Sequence, residues 1–107
     1  MGWASNHIRK LQEGETVKFR PHGNSMIGKI SSGQLCTVAP ITDDTILEVG
    51  DVVLCKVMGR QFIHLITAMK TDSASGNHTY QISNNKGHVN GWTRRKQIYG
   101  KLINVEN

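Results

Sequence analysis

The sequence predicts an all-β domain: a small partly open barrel or sandwich of short antiparallel strands. Three observations carry the all-β expectation. Apolar residues fall in short runs bounded by Gly, Pro, Asn, Asp and Ser. Turn signals recur roughly every 8–12 residues. No stretch sustains the spacing of a long amphipathic helix. At 107 residues the chain has the length of one domain with one modest core.

Residues 1–13 read as an N-terminal arm with one short helical turn around Ile8 to Leu11, ended by Gly14; residues 14–107 read as a single β domain. Thr16 to Arg20 alternates, with Val17 and Phe19 on one face, so it is expected as a half-buried strand. The polar turn Pro21-His22-Gly23-Asn24-Ser25-Met26 follows. Met26 to Ser32 suits either a helical turn or an extended link. Leu35 to Ala39 is a strand stopped by Pro40. Gly50-Asp51 opens the most apolar strand, Val52 to Val57. Met58 to Gln61 turns the chain back into a return strand, Gln61 to Met69. Lys70 to His78 is a polar loop, Thr79 to Ser83 a strand, and Asn84 to Gly91 a turn-rich polar loop with Trp92 packed after it. Arg94 to Gln97 suits one helical turn, and Ile98 to Val105 closes the sheet.

Composition narrows the function classes. Hydrophobic content of 37% and charged content of 20% suit a folded chain and exclude wholesale disorder. No run approaches the roughly 18 apolar residues of a membrane span, and the first residues lack a signal-peptide core. A soluble, cytoplasmic chain is therefore expected. Cys36 and Cys55 lie in apolar runs and read as buried reduced thiols. They lack metal-ligand spacing and the five histidines are scattered, so no metal or cofactor is expected. The net charge of +5 permits salt-sensitive contact with anions. Lys18, Arg20, Arg94, Arg95 and Lys96, with Trp92 or Tyr99 as stacking groups, would carry nucleic-acid binding. Aromatic content of 6% is thin for such a platform.

The informative pair is Ser25 and His64. A serine hydroxyl at the tip of a turn is a weak nucleophile without an adjacent base. His64 lies among apolar residues on the return strand, where burial keeps an imidazole neutral near pH 7. The competing reading is a core histidine satisfied by a backbone carbonyl, with Ser25 an ordinary turn residue.

Gly23-Asn24-Ser25-Met26 resembles the serine box of the signal peptidase and SOS-repressor (LexA-type) serine peptidase superfamily. Gly50-Asp51-Val52-Val53-Leu54 resembles its second box, and Ile63-His64-Leu65-Ile66 falls where that family places its general base. The base is a histidine here, as in the endoplasmic-reticulum and archaeal signal peptidases. Ser83-Asn84-Asn85-Lys86-Gly87 is similar to the family's late loop and Ile98-Tyr99-Gly100-Lys101-Leu102 to its closing strand, so the likeness spans residues 17–105. Three positions depart from the pattern: Gly28 replaces a proline, Gln34 an aspartate, and no Asp or Glu occurs between Asp72 and Glu106.

The resemblance implies a serine endopeptidase with a Ser25–His64 dyad and no cofactor. Backbone N–H groups of Gly23, Asn24 and Ser25 would hold the oxyanion, and Asn84 or Asn85 would support the site. The substrate would be a peptide or protein bound as a strand on an edge such as Val17–Arg20 or Val52–Val57. A small free-standing domain of this kind would suit a phage or mobile-element product. The missing late carboxylate keeps an inactive binding or regulatory module as the alternative, and nucleic-acid binding as the next.

Overall fold

A computed structural model describes residues 2–107, so the first residue of the expected arm lies outside the described residues. The chain is mostly antiparallel β, one seven-stranded sheet that does not close, with one short helix. In chain order the elements are α1 (Ser5–Gln12), β1 (Val17–Phe19), β2 (Leu35–Pro40), β3 (Val52–Val57), β4 (Arg60–Thr71), β5 (His78–Ser83), β6 (Val89–Arg94), a 3-10 turn (Arg95–Gln97) and β7 (Ile98–Glu106). Neighbours run β1-β2-β7-β3-β4-β5-β6, so β1 and β6 end the sheet.

β3 is buried on both faces, as its unbroken Val-Val-Leu-Cys run requires. Val52 and Leu54 enter one core with Ile8, Leu11, Phe19 and Val38. Val53, Cys55 and Val57 enter a second core with Ile66, Tyr80 and Ile82. The strand thus divides the molecule into a helix-bearing half and an all-strand half. Both cysteines are free and buried, and burial pushes the Cys55 thiol up to about 12.

Three expectations change here. Val52–Val57 cannot accept a substrate strand, because β7 pairs with one of its edges and β4 with the other; of the two strands expected to serve, β1 is the one at an end of the sheet. The N-terminal arm is a helix with a docking surface. Ile8 and Leu11, three residues apart, are its buried stripe. The helix comes close because Gly100 has no side chain: a Cβ there would run into Val38 and lie 2.9 Å from Leu11 Cδ1. Finally, the late polar loop is shorter than expected, since Val89–Arg94 forms β6. That strand curls back toward β3, where Thr93 Oγ1 donates to the Lys56 carbonyl at 2.8 Å. Trp92 stays partly exposed on it, with Lys70 Nζ 4.5 Å above its ring.

No helix among the described residues is long and apolar enough to cross a membrane. None of their His, Cys, Asp and Glu side chains group in threes that could hold a metal ion.

Candidate active site

Ser25 stands on an exposed turn tied down on every side. Ile30 and Lys29 donate their N–H groups to the Met26 carbonyl at 2.8 and 2.9 Å, closing one helical turn after the serine. Met26 and Ile30 are buried and pin that turn to the helix-bearing core. Gly28 ends it at φ +97°, in the left-handed region. A proline, with φ locked near −65°, could not take that conformation. Gly33 N–H donates to the Pro21 carbonyl at 2.9 Å, which draws the two ends of the segment together.

His64 comes from β4, opposite Val53 of the central strand, and is only 8% exposed. Its Nε2 lies 3.2 Å from Ser25 Oγ. Its Nδ1 lies 2.7 Å from Asn90 Oδ1. The amide oxygen can only accept, so it holds the proton on Nδ1 and leaves the Nε2 lone pair facing the serine hydroxyl. Burial lowers the His64 pKa; the Asn90 hydrogen bond opposes that shift and the nearby His88 adds to it. The imidazole is therefore neutral at pH 7, the form a general base needs. Phe62 stacks beside it, ring centres 4.9 Å apart at 28°, and restricts the ring's rotation.

The supporting residues sort differently from expectation. Asn90, placed by sequence only within the late loop, is the group that orients the base. Asn85 supports the nucleophile instead: its N–H donates to the Ser25 carbonyl and its Nδ2 to the Ile27 carbonyl, both at 2.8 Å. Asn84 touches neither reacting side chain. Its Oδ1 accepts from the N–H groups of Lys86 and His88 at 2.8 and 2.9 Å, shaping the turn that leads into β6. Gly23 is removed from the oxyanion set, because its N–H already donates to Ser32 Oγ at 3.0 Å. Asn24 contributes its carbonyl to the Ile27 N–H at 3.3 Å. Among the described residues the N–H groups of Asn24 and Ser25 have no protein acceptor, which leaves both free to donate.

The dyad opens into a cleft of about 420 Å³. It is lined by the aromatic cluster of Trp3, His7 and Phe19, by the stacked pair Phe62 and His64, and by Met26, Ile30 and Ile63. Of the expected nucleic-acid residues, Arg94, Arg95 and Lys96 line one groove. Lys18 lies on β1 and Arg94 on β6, strands at opposite ends of the sheet order. Arg95 Nη2 donates to the carbonyls of Thr42 and Thr45, and Tyr99 donates to Gln97. Compared with models of known protein families the chain matches none, and no curated protein matches it.

Proposed function

We propose that the protein is a serine endopeptidase-like domain of the signal peptidase and SOS-repressor type, working through Ser25, His64 and Asn90. The observation that supports this most is the continuous hydrogen-bonded line from Asn90 Oδ1 through both nitrogens of His64 to Ser25 Oγ. A core histidine satisfied by backbone would make neither contact. The order amide, imidazole, hydroxyl matches the division of labour in nucleophile–base–orienter sites on unrelated folds.

In this reading a substrate segment lies as an added strand along the free edge of β1, its scissile carbonyl over Ser25. Ser25 Oγ bonds to the carbonyl carbon while its proton passes to His64 Nε2. The oxyanion accepts from the Ser25 N–H. The C–N bond then breaks and the imidazolium gives its proton to the leaving amine. A water repeats the sequence on the acyl-enzyme: His64 takes its proton, and Ser25 recovers one as the acid departs. Asn90 keeps the ring in register throughout. As a neutral amide it stabilises the imidazolium less than a carboxylate would, so slow turnover is expected.

The test is labelling with a fluorophosphonate, mapped by mass spectrometry, together with cleavage of a peptide library by wild type, Ser25→Ala and His64→Ala. Label on Ser25 and loss of both activities in each variant support the reading. Cleavage undiminished in Ser25→Ala sinks it.

A further inference from the structure

We propose that the cleft beside Ser25 is a specificity pocket for a large apolar side chain of the substrate, aromatic above all, and that the N-terminal segment Trp3–His7 is its outer wall. This deepens the peptidase reading and rests on it.

Two aromatic clusters line the cleft. Phe19 is met edge-on by Trp3, with ring centres 5.6 Å apart, and face-on by His7 at 4.5 Å. The second is Phe62, stacked on the catalytic imidazole. Met26, Ile30 and Ile63 supply aliphatic surface, and no carboxylate lines the cleft. Its polar lip is Arg20 and His22, which disfavours a cationic side chain.

Trp3 is 52% exposed, an indole half left to water. The exposure is held in place. Indole Nε1 donates to the Gln61 carbonyl at 3.3 Å, Ala4 N–H to Gln61 Oε1 at 2.7 Å, and Gln61 Nε2 to Ser5 Oγ at 3.0 Å. Gly2 lies so close that any side chain on it would run into Gln61. Ala4, Ile8 and Leu11 anchor the same segment in the core. A ring entering the cleft would remove the free indole face from water and gain edge-to-face contacts with fixed partners. Side chains of a strand alternate between two faces, so a strand added beside β1 directs every second side chain to the face of Phe19.

Three measurements test the proposal. Wild type is treated with a small fluorophosphonate that carries no peptide side chain. Matched peptides differing only by Phe, Leu, Ala or Lys near the scissile bond are compared by cleavage rate in wild type and Trp3→Ala. The same peptides are titrated against Ser25→Ala by tryptophan fluorescence. The expected result is preference for Phe over Ala by about tenfold or more, shrinking toward one in Trp3→Ala. Label on Ser25 with Phe and Ala peptides cleaved alike, or an unchanged ratio in Trp3→Ala, overturns the pocket and leaves the catalytic reading standing. No label, with Ser25→Ala still binding the Phe peptide more tightly, keeps the pocket and overturns catalysis. Neither label nor preference overturns both.

Discussion

The cleft at Ser25 and a groove at the far end of β4 are made of different material. The first begins at Phe62, Ile63 and His64; the second begins six residues on, at Lys70 and Thr71, which is about 20 Å along a strand. The groove is larger, about 770 Å³ against about 420 Å³. It is lined by Lys70, Arg94, Arg95 and Lys96 together with a polar loop whose Asp72 accepts from Ala74 N–H and Ser75 Oγ. The cleft holds an ordered hydrogen-bonded chain of hydroxyl, imidazole and amide among apolar side chains. The groove's cations make separate contacts, Lys70 with the Trp92 ring and Arg95 with the Thr42 and Thr45 carbonyls, and form no such chain. Size therefore ranks the two wrongly for chemistry. What separates them is whether polar groups converge on one another inside an apolar surround, where burial can tune an imidazole.

The contrast can be broken most directly at Ser25. Ser25→Ala should cost on the order of 10³-fold or more in peptide cleavage, measured under single-turnover conditions. Asn90→Ala comes next, with a loss on the order of 10²-fold in rate. It should also lower stability by about 1–3 kcal/mol in urea unfolding, because His64 Nδ1–H loses its only partner in a buried site. Asn90→Asp separates orientation from charge. The carboxylate favours the imidazolium, so the acid limb of the pH–rate profile should move to higher pH than in wild type. In wild type that limb should lie below the ordinary histidine value of 6.5.

The same shift has a sign for stability. Folded His64 binds its proton more weakly than the unfolded chain does, and so does His7, whose pKa burial and Lys10 lower. Their contribution is thus complete above pH 6.5 and falls as the pH drops below it, seen as a decreasing urea midpoint. A smaller effect belongs to the wall of the cleft. Gly100→Val should push Leu11 and Val38 apart, costing about 1–3 kcal/mol and loosening α1. Smallest of all is Arg94→Ala with Lys96→Ala, expected to leave peptide cleavage within about twofold, since exposed charges this far from the dyad are screened. A large loss of cleavage there would erase the distinction between the two sites.

Much of this architecture was legible because local signals and packing agree. Six strands announce themselves by alternation or by continuous apolar runs between turn residues. Ser25 and His64 were legible as a pair because a hydroxyl needs a base and only one histidine sits in such a run. β6 was hidden, since Val89-Asn90-Gly91-Trp92-Thr93-Arg94 begins with turn formers and buries only Thr93. Its signal was Val89, Trp92 and Thr93, residues that suit a pleated surface. Asn90 was hidden with it: three asparagines lie close together in the late segment, and only register across β4, β5 and β6 selects one. The irregularity between Ile82 and Ser83 in that register is a property of the assembled sheet, not of any short stretch. The interior place of β3 was likewise invisible, because a buried central strand and a half-buried edge strand differ in their neighbours rather than in their residues.

The three members of the line are separated by 39 and 26 residues along the chain, and the last belongs to a terminal strand of the sheet. During synthesis Ser25 and His64 emerge well before Asn90. In the proposed mechanism a nascent chain would then have Ser25 exposed while His64 is still free to turn and to take the other tautomer. In the proposed reaction full cleavage activity would wait on the docking of β6, so its appearance would time that step of folding.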